Sequence, residues 1–229
     1  MAEHRPSSSS EPIAIQRVQP QQRGRLELTS PALKPDGEIE DIYSAYHDDI
    51  SPPLAWTAMP DAETFMLLVQ DPDAPMEKPV LHWSAWNIPG RAEALPQGVR
   101  HGPTLSEFAG MVQGCNPRGE FGYMGPRPPS GDGPHRYHFQ LFALDIRLTA
   151  PPTTPLEELI GILKAHAVAS AELVGTYECD PEASLTAPHE PRAFARPDPR
   201  GGLDEDDVDR HAPHDEAGVI ERGALGLLY

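Results

Sequence analysis

Two aspartates, two histidines and a tyrosine define the chemistry open to this chain. Asp71 and Asp73 lie in "DPDAP", directly after an apolar run. His82 sits inside a second run, "VLHWSAWNIPG", and His135 and Tyr137 open a third, "HRYHFQLFALD", at the end of a Gly/Pro loop. If the ends of the three segments meet, carboxylates, imidazoles and a phenol converge. Imidazole and phenol donate hydrogen bonds to phosphate oxygens, while a carboxylate beside an imidazole favours its charged form and fixes its tautomer. The free backbone N–H groups of "GYMGPRPPSGDGP" can cradle an oxyanion alongside them. An aspartate repels phosphate, yet mixed signs suit a ligand that carries both an anion and an ammonium. The residues therefore read as a shallow polar pocket for a phosphate-bearing or zwitterionic small ligand.

Each residue also has a plain structural reading. Asp71 and Asp73 can simply build the turn that Pro72 and Pro75 preset. His82, between apolar neighbours, suits a satisfied core histidine. Arg136 and His138 point away from His135 in a regular strand and read as structural or surface residues. His166 falls in a helix without an identifiable partner, and Trp83, Trp86 and Tyr123 read as packing.

Three strands have to position these groups. "TFMLLVQ" ends in a turn at Asp71 and reads as a buried strand. The second run has bulky residues on both faces, with His82, Ser84 and Trp86 sharing one side. In the third, a period of two puts His135, Tyr137, Phe139 and Leu141 on one face and Arg136, His138, Gln140 and Phe142 on the other. One helix is expected: Thr154, Pro155 and Glu157 spell a capping box, and Leu156, Leu159, Ile160, Leu163, Ala167, Ala171 and Val174 follow at helical spacing up to a stop at Gly175. Packed β-sheets with a helix against one side are the expected class.

Composition narrows the function. Of 229 residues, 35 are Asp or Glu and 18 are Lys or Arg, a formal charge of −17 that disfavours a nucleic-acid groove. The stretch after Cys179 holds twelve acidic and five basic residues, so −7 of that charge falls in an expected disordered tail, residues 180–229. Residues 1–23, rich in Ser, Pro, Gln and Arg, read as a disordered arm, leaving residues 24–179 as one domain. No apolar run is long enough for a signal peptide core or a membrane span, which implies a cytoplasmic protein. Cys115 and Cys179 lack CxxC partners and read as idle thiols, although a bond between the two stays open. The chain has no GxSxG elbow, Walker loop, GxGxxG or HExxH, so no catalytic residue, cofactor or metal is assigned.

Taken in order, "SPPLAW", "DPDAP", "HW" with "NIPG", "GPRPPSGDGPHRYHFQLFALD" and "AELVGTY" resemble the phosphatidylethanolamine-binding proteins, also called Raf kinase inhibitor-like proteins, in their bacterial and archaeal branch. The resemblance covers roughly residues 26–178. It implies a mainly β, sandwich-like fold with a large antiparallel sheet, a smaller sheet and a flanking C-terminal helix. It further implies an anion pocket formed by Asp71, Asp73, Pro75, His82, Gly125, His135 and Tyr137. Arg127, within the Gly/Pro loop, has no assigned role.

Three functions follow from these observations. The first is a non-enzymatic binding protein for phosphate or phosphorylated head groups, whose occupancy modulates a protein partner. The second, motivated by the resemblance, is a kinase or protease regulator that acts through surface loops. The third is a hydrolase, since two His and one Asp can form a metal triad or activate water. A homodimer through sheet edges or apolar faces is compatible with all three.

Overall fold

The computed structural model describes residues 11–179; residues 1–10 and the acidic tail from Asp180 lie outside them. In chain order the elements are α1 (Ala14–Arg17), β1 (Leu28–Thr29), β2 (Leu54–Trp56), β3 (Thr64–Asp71), β4 (Val80–Pro89), β5 (Ala94–Leu95), β6 (Thr104–Leu105), β7 (Met111–Gln113), β8 (His135–Leu144), α2 (Leu156–His166) and β9 (Ala167–Tyr177). They form a six-stranded sheet ordered β6-β7-β4-β3-β8-β9 and a three-stranded sheet ordered β1-β2-β5. All strand pairs in both sheets are antiparallel. This is the mainly β, two-sheet architecture with a flanking helix that the sequence pattern implies.

Every residue of β3 is buried, because the strand is central and both sheet faces are covered. Phe65, Leu67 and Val69 meet Leu28, Leu54 and Trp56 of the small sheet in one core. Met66 and Leu68 join a second core with Phe142, Leu144 and the α2 residues Leu159, Ile160 and Leu163. Burying a side chain of this size contributes about 1.5–3 kcal/mol, so both layers stabilise the large sheet. Because β3 runs antiparallel to both β4 and β8, its C-terminal end lies beside their beginnings. Asp71, His82, His135 and Tyr137 therefore share one edge of the sheet.

Three expectations need correction. The helical pattern does not continue to Val174: α2 ends at His166 and the chain turns directly into β9, which pairs with β8 from Ala167 opposite Leu144 to Tyr177 opposite His135. Alanines at 167, 169 and 171 satisfy a period of two as well as one of 3.6, and the long ladder with β8 overrides helix propensity. The flanking helix thus precedes the last strand. Gly175 is no helix stop; a Cβ there would stand 2.6 Å from Ile39 Cγ1. The capping box is also absent, as the Thr154 hydroxyl donates to the Pro151 carbonyl at 2.6 Å and Pro155 occupies the cap.

The second correction concerns residues 11–23, which are seated on the sheet rather than forming a free arm. Ile13, Ala14 and Val18 are buried, and the latter two belong to the second core. The Ala14 and Ile15 amides donate to Gln70 Oε1 at 2.8 Å and Gln140 Oε1 at 2.6 Å. Two buried glutamines thus satisfy the backbone of a segment whose composition looks disordered.

Third, His82 does not share a side with Trp86. The β3–β4 register steps between Val69 and Gln70, which pair with Trp83 and Leu81 and leave His82 without an opposite residue. That bulge turns His82 toward Tyr137, while Trp86 packs in the second core. Cys115 and Cys179 are both free thiols. Among the described residues, no helix is long and apolar enough to cross a membrane.

Candidate functional site

Asp71 performs two tasks with its two oxygens. Oδ1 accepts the amides of Asp73 at 2.8 Å and Ala74 at 3.1 Å, closing the turn after β3. Oδ2 lies 2.9 Å from Nδ1 of His135, and both side chains are almost wholly buried. The turn-building reading and the functional one therefore hold together. Burial pulls the His135 pKa down, but the hydrogen bond and charge of Asp71 outweigh it, and the value rises above the ordinary 6.5. Asp73 and Asp132 add to that rise.

His82 is held in the opposite state. Its Nδ1 is 2.8 Å from the Met124 carbonyl, which only accepts, so Nδ1 carries the proton and Nε2 is left as an acceptor. Burial lowers its pKa below 6.5 in spite of that bond, which keeps the ring neutral. The ring stands edge-on to Tyr137, 5.1 Å between centroids at 87°. Burial, reinforced by the Asp71 charge, pushes the Tyr137 phenol far above its ordinary value, so it keeps its proton. Two atoms of this cluster are buried without a hydrogen-bond partner: His135 Nε2 and Tyr137 Oη. The Arg127 backbone amide bears on that hydroxyl, without forming a bond of normal geometry.

The cluster is a closed one rather than a shallow pocket: Asp71, His82, His135 and Tyr137 are 1–4% exposed. Gly125 borders it through Met124. Its amide donates to Asp49 Oδ1 at 2.6 Å, and a Cβ would come 2.4 Å from the Tyr43 carbonyl oxygen, so only glycine fits. Pro75 is exposed in the turn and preshapes it.

Asp73 is turned away from the ring cluster. Its Oδ2 accepts the Arg136 amide at 2.9 Å and Nε at 2.8 Å, and its Oδ1 accepts Nη2 at 2.6 Å. Burial raises the Asp73 pKa and the Arg136 bonds outweigh it, holding the carboxyl below its ordinary value. Arg136, read from the sequence as a surface residue, is the group that consumes this charge. An aspartate two positions after Asp71, facing an arginine next to His135, was the available signal. Asp49, which holds Gly125 and also pairs with Arg118, carried none, since 76 residues separate it from its glycine. Among the described residues, no group of three or more His, Cys, Asp or Glu side chains is placed to hold a metal ion, so the triad imagined for a hydrolase is not assembled.

Comparison with known proteins identifies the family and the fold. The sequence pattern of the phosphatidylethanolamine-binding protein family matches residues 29–178. A UPF0098 protein of Methanothermobacter thermautotrophicus is 38% identical over 153 residues, covering 66% of this chain and 98% of its own. Another UPF0098 protein, from Chlamydia trachomatis, is 37% identical over 160 residues, covering 68% of this chain and all of its own. Among solved structures, the phosphatidylethanolamine-binding protein homolog CT736 of Chlamydia trachomatis aligns with a TM-score of 0.60 at 35% identity, over 68% of this chain and 98% of its own. YbcL of Escherichia coli aligns at 0.61 and 28% identity, over 69% and 100%. The family pattern spanning most of the described residues, the relatives matched over nearly their whole length and the shared two-sheet fold lead to one conclusion: the chain belongs to the phosphatidylethanolamine-binding protein family.

Proposed function

We propose that the chain is a non-enzymatic binding protein that takes phosphate or a phosphorylated head group at the cluster of Asp71, His82, His135 and Tyr137, bordered by Gly125. The observation that carries this reading is the pair of buried, unpartnered polar atoms, His135 Nε2 and Tyr137 Oη. A buried donor without a partner costs about 1–3 kcal/mol, and a ligand oxygen between them removes that cost. With Asp71 on its Nδ1, protonated His135 presents Nε2–H outward to an anion. The Tyr137 phenol, kept protonated by burial, supplies a second donor. Both groups can hold a phosphate without transferring a proton, which is the character of a binding site rather than a reaction centre. The names of the family and of the homolog CT736 agree with a head-group ligand. Side-chain rotation must open the cluster to admit one.

Phosphorus NMR titration of the full chain with inorganic phosphate and glycerol 3-phosphate tests the reading. Saturable shifts are expected, and His135→Ala should weaken binding at least about tenfold, the loss of one charge-assisted bond of about 1.4 kcal/mol. Unchanged phosphorus spectra with the parent protein would refute it.

A further inference from the structure

Resting on that reading, we infer that the side chain of Arg127 is a specificity-determining group of the site, and that it selects a dianionic phosphate monoester over a zwitterionic phosphodiester. Three observations lead there. First, the cations around the site are otherwise committed: Arg136 is clamped on Asp73, Arg118 pairs with Asp49, and the charge of His135 is balanced by Asp71. A dianion bound between His135 and Tyr137 would then lack a counter-charge, and it would also face Asp71.

Second, Arg127 is exposed, and its guanidinium lies over the Tyr46 ring at 5.5 Å from the centroid and interacts with the Tyr46 hydroxyl, with no salt bridge to a carboxylate among the described residues. Contacts of this kind at an exposed site are weak, so the group is held by Tyr46 and easily released to a stronger anionic partner. Third, the stack is fixed in place. The Tyr46 hydroxyl donates to the Pro128 carbonyl at 2.7 Å, and burial together with the Cys179 thiol raises its pKa to about 12, so the ring stays neutral. The backbone amide of Arg127 itself bears on the unpartnered Tyr137 hydroxyl. One residue thus sets its amide near the Tyr137 hydroxyl and carries, on the same loop, a guanidinium that no carboxylate among the described residues neutralises.

Guanidinium matches the paired oxygens of a terminal phosphate, whereas a diester offers fewer charged oxygens and its ammonium would be repelled. The test compares glycerol 3-phosphate with glycerophosphoethanolamine, which share a glycerol and differ in charge, by calorimetric titration at constant ionic strength. The parent should prefer glycerol 3-phosphate. Arg127→Gln should lose about tenfold for it and less than about twofold for the diester, removing most of the preference. Arg127→Lys should recover part of the monoester affinity, because charge persists while the planar fork is lost. Equal losses for both ligands, or no change in Arg127→Gln while the parent still binds, would overturn the assignment of Arg127 and leave the site standing. Absence of binding to the parent would instead overturn the site. Arg127 is exposed, so a folding failure does not obscure the result, and a thermal melt of each variant checks this.

Discussion

The two faces of β8 treat their polar groups in opposite ways. On the face that meets the second core, Gln140 and its neighbour Gln70 spend their carbonyl oxygens on the amides of Ile15 and Ala14, and His138 bonds Glu172 through Nδ1 at 2.7 Å. His138 Nε2 is the one unpartnered atom there, at a side chain 12% exposed. On the other face His135 and Tyr137 keep two unpartnered atoms, nearly fully buried, around one carboxylate. The two glutamines on the first face are satisfied by the chain's own N-terminal segment, and they build structure. Those on the second are oriented but left open, the state in which an external oxygen gains most.

The largest effect that tests this contrast comes from removing residues 1–19. Ile13 and Val18 would leave the core, and Gln70 and Gln140 would lose their amide partners. A stability loss of at least about 3 kcal/mol in urea denaturation is expected. Phosphate affinity should stay within about twofold of the parent, since the two faces are separate; a much larger loss of affinity would break the comparison.

Tyr137→Phe sharpens it from the other side. The substitution deletes a buried hydroxyl that has no partner, so stability should hold or rise by up to about 1 kcal/mol. Phosphate affinity should nonetheless fall several-fold. A variant that loses stability instead would show that the hydroxyl is already satisfied.

The smallest effect is in pH dependence, where the two histidines oppose each other. The His82 pKa is lowered in the folded state, so on acidification through about 6.5 the unfolded chain takes a proton that the folded chain refuses, and stability falls. The His135 pKa is raised, so its contribution is fully present below about 6.5 and is lost as pH rises through its higher folded value. The terms partly cancel. His82→Asn, whose amide can still reach the Met124 carbonyl, should lose less stability than the parent between about pH 7.5 and 5.5, and His135→Gln should lose more. Urea midpoints at the two pH values check both signs.

The strands Thr64–Asp71, Val80–Pro89 and His135–Leu144 were legible because long apolar runs end in unmistakable turns, and a period of two correctly divided the faces of β8. The residues from Ala167 were misread because small alanines carry no period of their own; only the ladder with β8 distinguishes strand from helix there. The N-terminal segment was misread because composition does not reveal that two glutamines, more than fifty residues away, wait to accept its amides.

The sequence by itself determined which side chains sit at strand ends and that they include acids, imidazoles and a phenol, since local pattern and turn chemistry act over a few residues. Tertiary structure alone decided that Asp71 faces His135 while Asp73 faces Arg136, and that a bulge swings His82 onto Tyr137. It also decided which polar atoms are left without partners. Those outcomes depend on register between strands and on burial, and both are settled only when distant segments pack together.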